Sequence, residues 1–544
     1  MGVDKGDLGK INGEGLEEVT EGLEGLLVSL RSPENREEME EETIHRIGQV
    51  YLQAEQDRDL RVLCARTVAN AVADCERNRA VLLEDQEFLA EVGRTLLAGE
   101  DDVRGVNVAL TLLFNFSNDY EPGTKLLTDN AQLPSGLSRT ISVYHKSDEF
   151  LLHVALNLVE LYLEQGATQG FPEAIIDILL EISSQVVEAD PQDEDDWQPA
   201  LVLMRLIESD EKFEKEFAVN RKKFATLLEV GKRTIRLDSV GQHALAVVGN
   251  ISSREEFSEL VKISPSDDIY VYIQNIIQPD TTNLMLVSAA CCILGNLAID
   301  AERVRCMMDL KPDLVQCVMR AYEGCTNAFQ LQGTHLLKNI SATPQYKSLI
   351  LDNGAVDLIR RLCNVKLFFS IRRLGAQMAR NLLRDVSNPN EELLEVVLHT
   401  FKTDDNDMVK VDCLQATVAA IESLATSNRL DQCQHLPTIV PSLVKGMTGI
   451  LSASPDHWNG VTLLKTSKAL GILSTQPQGQ ELLLRSPTEI TDLLQLSDKV
   501  KAQVKSPQDT LLGVVKNLGF IASKLTHDPA LHDVAQSAIR NATN

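Results

Sequence analysis

Aromatic residues are scarce in this chain: Phe, Trp and Tyr make up 4% of 544 residues, and only 2 are Trp. No Pro-, Gly- or Ser-rich linker divides the length into the three or four domains that it would otherwise suggest. No apolar run reaches membrane-spanning length and no signal peptide opens the sequence, so the expectation is a soluble, cytoplasmic protein that meets membranes only through a partner. Gly6 stands where myristoylation after Met1-Gly2 needs Ser or Thr, and Ala542-Thr-Asn544 holds no prenylation Cys. Asn115-Phe-Ser117, Asn250-Ile-Ser252 and Asn339-Ile-Ser341 match the glycosylation pattern, but that pattern requires secretion.

Catalytic patterns are missing too. There is no phosphate-binding Gly-rich loop, no G-x-S-x-G elbow and no H-E-x-x-H, and the 10 His are scattered without ligand spacing. No C-x-x-C occurs. Cys64, Cys306, Cys317 and Cys363 sit singly in apolar stretches and Cys291-Cys292 form a pair, which predicts buried reduced thiols. The expectation is a protein without an active site, metal or cofactor of its own.

What the chain has is a repeat. Val247-Val-Gly-Asn-Ile-Ser252, Ile293-Leu-Gly-Asn-Leu-Ala298, Leu336-Leu-Lys-Asn-Ile-Ser341 and Met378-Ala-Arg-Asn-Leu-Leu383 share one pattern, a small or basic residue before Asn inside an apolar run. Leu113-Phe-Asn-Phe-Ser117 and Val68-Ala-Asn-Ala71 extend it upstream. Equivalent positions fall at Asn70, Asn115, Leu161, Ile207, Asn250, Asn296, Asn339, Asn381, Ser423, Ile472 and Phe520, 42 to 49 residues apart. That period belongs to helical solenoids. After Asn339, Pro344 to Leu351, Ala355 to Asn364 and Phe369 to Asp385 read as three helices with a left-handed turn at Asp352-Asn353-Gly354. Three helices per unit favour armadillo over HEAT repeats, so the predicted fold is an all-α, right-handed superhelical solenoid of about eleven three-helix repeats, spanning residues 15–544. Scarce aromatics suit the narrow aliphatic seam between such layers. In the third helix of that copy, Ile371, Leu374, Met378 and Leu382 are expected to face the core, with Gln377 and Asn381 on another face.

Residues 1–14, with four glycines, are expected to be a disordered tail, 15–55 an N-terminal cap, and 188–199 an acidic inserted loop. The copies ending at Leu161 and Ile207 are degenerate, and the last three lack the Asn.

Charge is unevenly spread. Residues 1–200 hold 41 Asp/Glu against 15 Lys/Arg, a balance of −26, whereas residues 201–544 balance at −1. An acidic N-terminal portion attracts a basic partner and repels nucleic acid and anionic lipid. Its densest patch is Asp190, Asp193, Glu194, Asp195 and Asp196, the candidate seat of a basic tail. A ladder of side-chain amides at Asn250, Asn296, Asn339 and Asn381, with His335 and Gln377 beside it, is the candidate surface for a folded partner, because each amide both donates and accepts. Arg360, Arg361, Arg372, Arg373, Arg380 and Arg384 lie near it in sequence and suit an acidic surface. The alternative is that each Asn bonds a helix end within its own repeat. A nuclear-import receptor would carry Trp four residues before each Asn; Arg66, Thr111, Ala246, Cys292, His335 and Gln377 stand there instead.

The repeat endings, with Leu349-Ile-Leu-Asp-Asn-Gly-Ala-Val-Asp-Leu-Ile359 and Leu201-Val-Leu-Met-Arg-Leu-Ile-Glu-Ser-Asp-Glu-Lys-Phe213, resemble the SmgGDS family of armadillo GDP-dissociation stimulators and its fungal bud-emergence relatives. The resemblance covers most of the chain. It implies a monomeric chaperone for Rho- or Rap-type small GTPases with polybasic, prenylated tails, and guanine-nucleotide exchange on some of them. A catenin-like scaffold for extended basic peptides is the alternative, and a nuclear-import adaptor a more distant one.

Overall fold

The computed structural model describes residues 5–13, 15–97, 102–189, 191, 193, 195–235, 237–324, 327–506 and 508–543. It is 78% helix, without strands among the described residues. The chain divides into two compact units, residues 1–260 and 261–544. Counted by unit, the first carries −26 and the second −1.

In the first unit the long helices Leu16–Ser29, Arg58–Val72, Val103–Ser117, Glu149–Glu164, Gln198–Ser209 and Asp238–Ser252 pack each against the next. The second unit repeats the arrangement with Leu284–Leu297, Asn327–Ser341, Phe369–Leu383, Asp407–Thr426, Gly460–Ser474 and Thr510–Leu525. The eleven aligned positions lie one in each of these helices except Leu16–Ser29, toward the C-terminal end. They are the third helices of the repeat.

The copy after Asn339 has the expected three pieces. A 3₁₀ turn Pro344–Tyr346 runs into Lys347–Asp352, Gly354 takes the left-handed conformation (φ 89°), and Ala355–Cys363 precedes Phe369–Leu383. Ile371, Met378 and Leu382 are buried and Leu374 is half-buried, as the helical period requires. Where the sequence has no glycine, short polar residues make the reversal after a third helix: Asp74, Asp119, Asp385 and Asn428 have φ of 51–53°. Asp and Asn tolerate that region because their side chains bond locally.

Three expectations need correction. Residues 5–11 of the supposed tail form the helix Lys5–Ile11, with Ile11 fully buried against Leu16–Ser29; Leu8 and Ile11 are three apart and supply an apolar face. The acidic loop is shorter than 188–199. The helix Ala174–Ala189 continues through its start, and Trp197 is a core anchor, 1% exposed, with its indole Nε1 donating to Pro191 O at 3.3 Å. Finally, Cys306 is exposed, whereas Cys64, Cys291, Cys292, Cys317 and Cys363 are buried and unbridged. Burial pushes the Cys64 thiol up to about 12 and that of Cys363 up to about 11.

Candidate functional site

The repeated asparagines hold neighbouring repeats together. Asn115 Nδ2 donates to Ala69 O at 3.1 Å, Asn339 Nδ2 to Gly295 O at 2.8 Å, and Asn381 Nδ2 to Lys338 O at 2.9 Å. Each acceptor is the residue just before the preceding Asn, so one bond recurs with the period of the repeat. Asn70 reaches Leu27 O in the same way at 3.4 Å, which puts Leu16–Ser29, inside the expected cap, in the place of a third helix. In the Asp407–Thr426 helix Ser423 stands at the Asn position and also bonds the preceding third helix, but further along it, its Oγ donating to Leu383 O at 2.8 Å. The sequence offered a partner surface or a cap within one repeat; the structure uses these donors between repeats.

Asn250 differs. It belongs to the first unit, where its Nδ2 donates to Glu214 Oε1 at 2.7 Å, and Glu214 also pairs with Arg254. Asn296, Asn339 and Asn381 belong to the second unit. There Asn339 also lies 3.5 Å from His335 Nε2, and the His335 ring packs on Gly295, where a Cβ would lie 2.8 Å from Nδ1. Gly295 is the close approach that lets the imidazole lie between two third helices. Removing the carboxamide of Asn381 deletes the bond between the two helices while Lys338 O keeps Ser341 Oγ as a donor, so Asn381→Ala should lower stability by about 1 kcal/mol. Asn339→Ala should do the same, and urea denaturation of each variant measures it.

The outer polar face of the second unit's third helices forms a connected strip. In Phe369–Leu383 the positions 373, 377 and 380 follow helical spacing opposite the core stripe. Arg373 Nε donates to Asp412 Oδ2 at 2.8 Å and Gln377 Nε2 to the same oxygen at 3.2 Å. Arg380 Nη1 donates to Gln415 Oε1 at 2.5 Å, and Gln415 Nε2 passes the chain to Thr462 Oγ1 at 2.7 Å. Lys338 and Arg380 stand out in this strip: both are half-buried and, among the described residues, neither has a carboxylate within ion-pair distance. Burial lowers both below their ordinary values; the Arg380 guanidinium depresses Lys338 further, and Arg384 does the same to Arg380. Asp412, already paired with Arg373, is the carboxylate whose charge reaches both, and it offsets only part of the burial.

Other sequence candidates separate from this strip. Arg372 is buried with Asp404, and Arg360, on the second helix of its repeat, pairs with Asp357 and Glu392. Arg361 is exposed on that same helix. Asp193, Asp195 and Asp196 are exposed in the first unit; Asp190 and Glu194 lie outside the described residues. Lys338, Asp412 and Gln415 were not anticipated. The signal for Lys338 was in the motif: the position before Asn is Gly249 and Gly295, then Lys338 and Arg380.

His335 is neutral in the folded protein. Burial, with Lys338 nearby, lowers its pKa from 6.5 to about 4. The unfolded chain therefore takes up this proton first as pH falls. The stability the neutral ring contributes is complete above pH 6.5 and is lost as pH drops from 6.5 through about 4. His335→Leu should flatten this loss by on the order of 1–3 kcal/mol, seen as a smaller change in urea midpoint between pH 7 and pH 4.5.

No family model matches the chain, and no curated protein matches it. Among solved structures, the chain is similar to a catenin-type armadillo protein described as "A conserved phosphorylation switch controls the interaction between cadherin and beta-catenin in vitro and in vivo". The TM-score is 0.58 at 13% identity, covering 96% of this chain and 98% of the other. An engineered protein matches with a TM-score of 0.39 at 14% identity, over 93% of this chain and 100% of its own. The first likeness defines the fold as armadillo-like. Among the described residues, no helix is long and apolar enough to cross a membrane.

Proposed function

We propose that the chain is a binding scaffold whose third-helix strip in the second unit holds the folded body of a Rho- or Rap-type small GTPase. The acidic first unit attracts the GTPase's polybasic tail. The observation that carries this reading is the pair Lys338 and Arg380, half-buried cations with no carboxylate in ion-pair distance among the described residues. Asp193, Asp195 and Asp196 are the described part of the basic-tail patch. Exposed ion pairs contribute about 0–1 kcal/mol each. Burial of a prenyl chain at ~0.8 kcal/mol per carbon would give on the order of 10 kcal/mol before ordering costs. Charge then sets the association rate and lipid the lifetime of a chaperone complex, with GDP release a consequence of gripping the folded body.

The armadillo-like fold supports a second reading, a catenin-like scaffold for an extended peptide. The two separate on one titration, in which prenylated and unprenylated forms of a Rho-type GTPase are added to the full chain. The chaperone reading predicts at least tenfold slower dissociation of the prenylated form, with a free basic peptide competing only in part. Equal dissociation with and without the lipid, and full competition by the peptide, would leave the scaffold reading alone.

A further inference from the structure

The second unit contains a half-open groove of about 1150 Å³ between the helices Glu391–Thr403, Asp407–Thr426 and Leu436–Ser452. Its origin is in the last of these. Leu436–Ser452 buries Ile439, Val440, Leu443, Val444 and Met447 on one side. The stripe through Thr438, Ser442, Gly446, Gly449 and Ala453 lines the groove with small side chains. At Gly446 the helices approach closely, since a Cβ there would lie 2.9 Å from Leu414 and 3.2 Å from Phe401. One turn on, Gly449 has nothing within 4 Å, and the groove opens. Pro441 sits inside the helix and has no amide to give the carbonyl of Pro437.

We propose that this groove takes an amphipathic helix of a partner protein, its apolar ridge flanked by acidic residues. Length sets the first constraint: from Thr438 to Ala453 the lining stripe runs 15 residues, about 22 Å at 1.5 Å per residue, or four turns of a docked helix. Shape sets the second. A stripe recurring every three to four residues is the complement of a helical ridge. The groove is also larger than the roughly 300–1,000 Å³ of small-molecule pockets. Pro441, Lys445, Gly449 and Ala453 are all exposed along it, so an acyl chain lying there would stay wet.

Charge sets the third constraint. At the rim Asp407 pairs with Lys410 and Asp412 with Arg373, cancelling pairwise. Lys402 and Lys445, one on each of two helices, are exposed with no ion-pair partner among the described residues. The uncompensated rim is therefore cationic and selects acidic flanks. Half-exposed Met408 at the mouth offers an adaptable apolar contact. This proposal does not rest on the GTPase reading and needs neither Lys338 nor Arg380, but Arg373, Asp412 and Gln415 of the strip also line the groove.

The test is selection from a displayed library of 16-residue helical peptides, with Leu fixed at i, i+4, i+7 and i+11 and flanks randomised among Glu, Lys, Ser and Ala. The full chain is the bait, with Gly449→Phe as the filled-groove control, its fold checked by thermal melting. Clones richer in Glu than Lys are expected to be enriched at least tenfold on the wild type over Gly449→Phe. The double reversal Lys402→Glu with Lys445→Glu, which changes only exposed side chains, should weaken the best clone at least tenfold. Absence of enrichment over Gly449→Phe, or enrichment of basic clones, overturns the proposal. So does a fluorescent palmitate analogue that binds in a Gly449-dependent manner while no peptide does.

Discussion

Replacing Arg372 with alanine should destabilise the second unit by about 3–5 kcal/mol, the range for removing one partner of a buried ion pair. Arg372 is 7% exposed and the Asp404 side chain 4%. Its Nη1 donates to Val365 O and Lys366 O, both at 2.9 Å, while Nη2 reaches Asp404 Oδ1 at 3.3 Å and Asp405 Oδ1 at 3.1 Å. Nε faces Asp404 Oδ2 at 2.8 Å off the line of its N–H bond, so charge carries that contact. One guanidinium thus closes the loop before Phe369–Leu383 and fastens it to the loop before Asp407–Thr426. The clamp has a visible consequence: Leu367 is 87% exposed and Phe368 and Phe369 about half, yet the segment is fixed at both carbonyls. Lysine cannot reproduce the fork, so Arg372→Lys should recover little of the loss. Urea denaturation at pH 7 measures it, and a loss below about 1 kcal/mol would show that the clamp is not structural.

The double variant Lys338→Met with Arg380→Met should move stability and binding in opposite directions. Half-buried cations with no carboxylate in ion-pair distance among the described residues oppose folding, so methionines of similar length should leave the chain as stable or about 1–2 kcal/mol more stable, even after the Arg380–Gln415 bond is lost. Affinity for a Rho-type GTPase should fall about 100-fold, roughly 2.7 kcal/mol, as two desolvated charges facing an acidic surface are removed. A purely structural role predicts the reverse pattern, lower stability with binding unchanged. Thermal melting and one binding titration on the same preparation separate the two.

Much of the fold was legible because the repeat writes it many times. The aligned position and the apolar run around it fall in a third helix in every copy, including those that lost the Asn, and the turn at Gly354 separates the first two helices of one copy. What could not be read was the direction of each polar side chain. An Asn four residues after His335 or Gln377 looks like a ladder facing outward, yet Asn381 is 9% exposed and spends its amide on the adjacent helix. Spacing along one helix does not show which carbonyl of the next helix lies opposite. The run of arginines from 360 to 384 illustrates the same limit. Arg372 and Arg373 are neighbours in sequence, but a 100° step turns one into the core beside Asp404 and the other onto the strip beside Asp412. The buried Trp197 and the helix Lys5–Ile11 were missed because acidic and Gly-rich surroundings outweighed one or two apolar residues that tertiary contacts made decisive.

Amide hydrogen exchange of the full chain, alone and with a stoichiometric prenylated Rho-type GTPase, tests the binding surface most directly. Added protection should concentrate in Asn327–Ser341, Phe369–Leu383 and Asp407–Thr426, where the cationic strip runs, with a lesser effect around Asp193 to Asp196. Protection absent from those three helices while the complex is demonstrably formed would contradict the assignment of the partner surface to the third helices of the second unit.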